Sequence, residues 1–179
     1  PLSSCFEEVC LSSPDMVKSI HMRYIQAGAQ VIETNSFGAN PVKLKSYQLE
    51  DKTEEINRAA VRIAREAAGD DVYVAGSVGP LGQRIVPFGK IEIKEAEKAF
   101  EVQISALIAE KADLLIFETF RDIEELLLAV RVAGRLDPSM PVQAQFTIGP
   151  LNEEEYRKEA PSLARRLDRE EAVDVIGIN

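Results

Sequence analysis

The sequence predicts an α/β fold built on a parallel sheet, and three observations carry that prediction. Short β-branched runs alternate with longer amphipathic segments, no hairpin signal separates any two strands, and each strand follows a helix. Strands joined through helices imply right-handed crossovers and hence parallel pairing.

The elements follow in order. A helix is expected from about Asp15 to Ala27, with Ser13 as N-cap and Pro14 at the first helical position. Val17, Ile20, Tyr24 and Ile25 fall on one face of it, and Gly28 closes it. The run Gln30-Val31-Ile32-Glu33-Thr34 reads as a buried strand. A helix from about Thr53 to Ala68 then leads to Val72-Tyr73-Val74-Ala75-Gly76, and one from about Ile93 to Glu110 leads to Asp113-Leu114-Leu115-Ile116-Phe117. A fourth, from about Asp122 to Arg135, leads to Pro141 through Phe146, and a last, from about Pro161 to Arg169, leads to Val173 through Ile178. The polar stretch from Gly149 to Glu159 shows no periodicity and reads as a long surface loop or a place where sequence is missing.

Two parallel architectures compete. A doubly wound sheet announces itself with a Gly-rich phosphate turn, and Gly76-Ser77-Val78-Gly79-Pro80 does not fit G-x-G-x-x-G. A (β/α)8 TIM barrel spends about 31 residues per unit, from about 250 residues over eight units. The strand starts lie roughly 28 to 42 residues apart. The expectation is an incomplete barrel of about five βα units, residues 1–179 forming part of a single domain.

Composition narrows the function. A net charge of −9 disfavours nucleic acid, which needs clustered Lys and Arg, and disfavours anionic membranes. No apolar stretch approaches the ~20 residues that span a bilayer, and Pro1-Leu2-Ser3-Ser4 lacks the features of a signal peptide. Two cysteines, Cys5 and Cys10, form no disulfide framework and read as reduced thiols of a cytoplasmic protein.

In a parallel α/β protein, ligands bind beyond the carboxyl ends of the strands. Those ends carry Glu33 through Asn40, Gly76 through Pro80, Glu118-Thr119-Phe120, Thr147 and Asn179. An acid directly after Leu-Leu-Ile-Phe is costly to bury without a partner, which makes Glu118 the first functional candidate. Glu33 faces either the barrel interior or the helices. Asn35 is placed to bind substrate or order its loop, and Asn40 reads as loop ordering. Gly76, Gly79 and Gly82 read as turn glycines. Ser77 suggests a nucleophile, but the single histidine, His21, reads as a half-exposed residue on an outer helix, so a serine hydrolase is disfavoured.

Three runs at these ends, Val31 through Asn40, Val74 through Pro80 and Leu114 through Phe120, resemble the homocysteine S-methyltransferase family. Cys5-Phe6-Glu7-Glu8, Ile20 through Gly28 and Glu55 through Ala60 match it as well. Gly79-Pro80-Leu81-Gly82 with Pro87-Phe88-Gly89 is similar to bacterial members fused to a methylenetetrahydrofolate reductase. The resemblance implies a zinc-dependent barrel enzyme that methylates the homocysteine thiol to give methionine. The donor would be a methylated folate or a sulfonium such as S-methylmethionine, and a fused reductase domain or a homo-oligomer is the implied setting. It further implies that Glu118 holds the homocysteine amino group, with Thr34, Asn35 and Ser77 as further substrate-binding candidates. Three cysteines would hold the zinc, the first following a Gly-x-Asn strand such as Gly177-Ile178-Asn179 and a pair near a later strand. Cys5 and Cys10 do not occupy those positions, the family's first strand is expected before Pro1, and this chain alone is expected not to turn over. The segment between Phe146 and Pro161 departs from the family's Gly/Thr-rich turn. An inactive barrel fragment, or a different barrel enzyme with Glu118 as general base, is the alternative.

Overall fold

A computed structural model describes residues 5–149 and 153–179. The readings of Pro1 through Ser4 and of Pro150 through Asn152 lie outside the described residues. Helices α1 (Val9–Ser12) and α2 (Pro14–Gln26) precede β1 (Val31–Glu33), and α3 (Pro41–Leu44) with two short 3-10 turns leads into α4 (Thr53–Ala68). Then β2 (Tyr73–Val78), α5 (Ile93–Ala109), β3 (Leu114–Phe120), α6 (Ile123–Leu136), β4 (Val142–Phe146), α7 (Glu153–Leu167) and β5 (Val175–Ile178) alternate to the end.

The five strands pair in parallel in the order β1-β2-β3-β4-β5. That order decides between the two architectures. A doubly wound sheet reverses its strand order at a switch point, whereas a sheet that advances by one neighbour at each right-handed crossover is wound in a single sense, as a barrel is. The sheet is TIM-barrel-like and does not close on itself.

The core lies between the outer face of the sheet and the helices. Val74, Leu115, Phe117, Val142 and Ala144 meet Val61, Ala64, Leu107, Leu127 and Val130 in one buried cluster. Phe120 packs against Phe100 and Phe117 at centroid separations of 6.2 and 6.4 Å. Gly76 is a packing residue rather than a turn residue, because a Cβ there would stand 2.9 Å from Leu115 and 3.2 Å from Leu107. Gly79 likewise admits the ring of Phe37 at close range; only Gly82 of the three has positive φ, at 81°.

Two aspartates lock the amino-terminal rim. Asp113 Oδ2 accepts from Val74 N and from Arg65 Nη2, both at 2.6 Å, and Asp174 Oδ2 accepts from Val142 N at 2.8 Å. Each acid just before one strand thus fixes the start of the preceding one, which sets the parallel register.

Three local expectations change. Pro14 opens α2 and Ser13 sits at its N-cap as expected, but Ser13 makes no side-chain cap bond. The last helix begins at Glu153 rather than about Pro161 and ends at Leu167, so much of the stretch read as loop is helical. Pro161 lies inside it, where the missing N–H forgoes one intrahelical bond. His21 is 6% exposed, not half-exposed: it follows Val17 by one turn on the inward face of α2.

Replacing Asp113 with alanine should cost about 1–3 kcal/mol, because Val74 N loses its acceptor inside the rim. Urea denaturation measures this, and a loss below about 0.5 kcal/mol, the range of ordinary surface substitutions, would show that the rim aspartate does not set the register.

Candidate functional site

The pleat brings the carboxyl-end residues together. Glu33 pairs with Ala75, and Ser77 pairs with Ile116. Alternation along β2 and β3 then puts Glu33, Ser77 and Glu118 on one face of the sheet. The two directions open to Glu33 are resolved: it points away from the helical core, into a cavity of about 610 Å³. Ser77, Glu118, Thr34 and Asn35 border that cavity on the sheet side; Val17, Ile20, His21 and Tyr24 of α2 form its opposite wall.

Glu118 leaves its strand at a distortion. The β3–β4 register shifts between Phe117 and Phe120, and Thr119 takes a φ of 63°. Ser77 Oγ donates to Glu118 Oε1 at 2.6 Å. Glu33 lies within hydrogen-bonding reach of Glu118, and its carboxyl is raised from an ordinary 4.5 to about 7. Desolvation is the largest cause, followed by the like charge of Glu118 and the hydrogen bond between the two carboxyls. A proton held between the two carboxyls would relieve the repulsion of two like charges at this end of the cavity.

Thr34 and Ser36 splice β1 to β2. Ser77 N donates to Thr34 Oγ1 at 3.0 Å, the Thr34 and Ser36 hydroxyls lie 2.6 Å apart, and Ser36 Oγ donates to Ser77 O at 2.7 Å. Gln103 of α5 reaches in to donate to Ser36 O at 2.7 Å. Thr34 is therefore built into the frame of the site while it borders the cavity. Asn35 is held from the amino-terminal segment: its Nδ2 donates to Phe6 O at 2.7 Å. Asn40 orders its loop as expected, accepting from Lys43 N at 2.9 Å as the cap of α3.

A second polar group supports the loops above. Glu125 of α6 is buried and accepts from Leu81 N at 2.7 Å, and desolvation raises its carboxyl. Lys43 Nζ sits 4.4 Å from the centre of the Phe37 ring, and Glu7 accepts from Gly38 N at 2.7 Å. At the far strand ends, Asn179 donates to Thr119 Oγ1 at 3.0 Å and accepts from Thr147 Oγ1 at 2.7 Å. Sequence reading placed Thr119, Thr147 and Asn179 on this rim but did not connect them. It missed Glu125, whose only signal was an acid at a helical position directly before Leu126 and Leu127.

The serine-nucleophile reading stays unsupported, though for a different reason than expected. His21 does border the same cavity, but the Ser77 hydroxyl donates to Glu118, and His21 Nε2 is buried without a partner. Burial also lowers the His21 pKa and keeps the ring neutral.

The thiols do not form a metal centre. Cys10 is buried on Asn35 with its thiol pushed up to about 11, and Cys5 is raised chiefly by burial. A ligand thiolate needs the opposite shift. Among the described residues no group of three or more His, Cys, Asp or Glu side chains is arranged to hold a metal ion. Nor is any helix among them long and apolar enough to cross a membrane.

Residues 3–179 match the family model described as homocysteine S-methyltransferase. The chain belongs to the homocysteine S-methyltransferase family. It is 31% identical over 157 residues to methionine synthase of Mycobacterium leprae (strain TN), covering 82% of this chain and 13% of that protein. It is 34% identical over 146 residues to betaine-homocysteine S-methyltransferase 1 of Danio rerio, covering 80% of this chain and 35% of that one. The chain thus spans about an eighth of the first relative's length and about a third of the second's. The solved structure of the homocysteine methyltransferase MmuM from Escherichia coli, metallated form, superposes with a TM-score of 0.80 at 24% identity. That match covers 100% of this chain and 68% of the other, and it establishes the barrel-like fold.

Because the Glu33 carboxyl is raised from 4.5 to about 7, it keeps its proton in the folded chain where an unfolded chain has lost it. The stability linked to Glu33 is fully present below about pH 4.5 and is lost as pH rises through about 7. Glu33→Gln should therefore lose less stability than the parent between pH 5 and pH 8 in paired urea titrations. Parallel pH profiles for the two proteins would remove the shared proton from the account.

Proposed function

We propose that residues 1–179 are part of a single homocysteine-binding (β/α)8 barrel domain of an enzyme that methylates the homocysteine thiol to give methionine. The observation that carries this reading is the acidic end of the cavity, where Glu118 and Glu33 meet above Ser77 with no Lys or Arg among the described lining residues. An α-ammonium is the group that such an end accepts, through charge-assisted hydrogen bonds. The wall of Val17, Ile20 and Tyr24 suits the aliphatic part of a small amino acid.

Each named residue then has a task. Glu118 takes the ammonium, and Ser77 fixes the Glu118 carboxyl by donating to Oε1. Thr34 holds the β1 and β2 ends in register, and Asn35 joins the cavity wall to the amino-terminal segment. Anchoring the amino group orients the sulfur, which converts a diffusing thiol into a positioned nucleophile. The zinc implied by the family does not fit the residues described, so its cysteines are assigned to other parts of the whole protein. The methyl donor is a methylated folate or a sulfonium, with a fused reductase domain or a second subunit as partner. Two unpaired cysteines suit a cytoplasmic setting. Family membership favours this reading over an inactive fragment or a barrel enzyme with Glu118 as general base.

In the intact protein, Glu118→Gln should raise the homocysteine KM roughly 10- to 100-fold, the loss of about 1.5–3 kcal/mol expected of a hydrogen bond to a charged group. Bound metal should not change. The assay is methionine formation with each candidate donor; an unaltered KM would take Glu118 out of the substrate site, and no methionine with any donor would defeat the assignment.

A further inference from the structure

The acidic end of the cavity holds two carboxyls where one would suffice to bind an ammonium. Glu33 and Glu118 come from β1 and β3, and both turn to the same face over the small side chain of Ser77. The groups that face Glu33 are few. From β3 there is Glu118; from β2, Ser77; from α2, His21 and Tyr24, of which His21 is neutral and Tyr24 lies at the exposed side. On the other face of β1, Ile32 is buried in the apolar core cluster that includes Val61 and Ala64 of α4. Among the described lining residues none is a cation that could neutralise the pair.

We propose that Glu33 is a second carboxylate of the amino-acid subsite, one that holds a proton against Glu118 until a substrate ammonium arrives and then releases it to solvent. The inference rests on the homocysteine reading and adds a residue and a proton to it. The balance is simple. The O–H bond of Glu33 breaks, its proton passes to water, and the ammonium keeps all of its own protons. One negative charge on the pair becomes two, and the incoming positive charge restores the sum. The carboxyl pair thus stands in for the ligand's cation, and the site avoids facing two bare like charges on one face of the sheet. A neutral or anionic ligand cannot make that exchange, so the pair selects for an ammonium.

The raised Glu33 carboxyl, at about 7, makes the proton measurable near neutrality. The probe is methionine, which carries the same α-ammonium as homocysteine and has no thiol proton to lose. Calorimetric titration of the intact protein, repeated in buffers of different ionisation enthalpy, counts protons released on binding. Wild type should release about half a proton at pH 7 and several-fold less at pH 8, where Glu33 is already ionised. Glu33→Gln should release none. Since the wild-type pH dependence is itself diagnostic, the test does not depend on the variant folding well. Methionine binding without a Glu33-dependent proton release would overturn this inference while leaving the homocysteine reading intact. Failure of methionine to bind at any pH would overturn the homocysteine reading itself.

Discussion

Everything at the carboxyl end of this sheet depends on two acids meeting across an intervening strand. Strands β1 and β3 are separated by β2, and so by about 9.5 Å between backbones. Two glutamate side chains bridge that gap only when both point to the same face and the residue between them is small. Parallel register supplies the first condition and Ser77 the second. A larger side chain at Ser77 would keep the carboxyls apart; an apolar one would leave Glu118 Oε1 without its donor. The acids and the serine are one unit.

That unit stays in place because both ends of the sheet are fixed. At the amino-terminal rim, Asp113 and Asp174 clamp the starts of β2 and β4 to the strands that follow them. At the carboxyl end, the side chains of Thr34, Ser36 and Gln103 add to backbone bonds such as Thr34 N to Ala75 O in continuing the pairing past the last regular residues. The two loops above are held from three directions, the first by Glu7 on Gly38 and by Lys43 on the Phe37 ring, the second by Glu125 on Leu81 N. Ligand-facing loops are ordinarily the soft part of an α/β fold. Here one buried side chain, Glu125, and two half-buried ones, Glu7 and Lys43, fix them, and each has a backbone or ring partner.

The strand-helix alternation was legible because buried parallel strands and amphipathic helices differ sharply in period, and the helix Thr53–Ala68 has the expected bounds. Glu118 was legible as an acid that a core would not otherwise tolerate. Other features needed the third dimension. His21 follows Val17 on a turn of helix that also exposes Ile20 and Tyr24, so the sequence alone does not say which face lies inward. Gly76 and Gly79 look like turn glycines, yet their role is to admit Leu115 and Phe37, neighbours that only the fold supplies. Pro161 is a natural helix start by residue preference, and inside α7 that preference is overridden. The carboxyl pair was the deepest miss, since Glu33 and Glu118 lie far apart in sequence and meet only through register.

The edges of the sheet extend the same logic. Val31 on β1 is 43% exposed, and Val175 and Ile178 on β5 are 51% and 48% exposed, so apolar side chains stand open beside unpaired strand backbones at both margins. Proteins ordinarily blunt such edges with charge, proline or cover, and barrels abolish them by closure. The wall of α2 makes the same demand, with Met16, Ile20 and Tyr24 facing the cavity beside β1. In a closed barrel such surfaces are interior. Closure would also complete the desolvation of the carboxyl pair. The drier the cavity becomes, the more it costs to hold both acids ionised without a cation, and the more sharply the pair distinguishes an ammonium from any other ligand end.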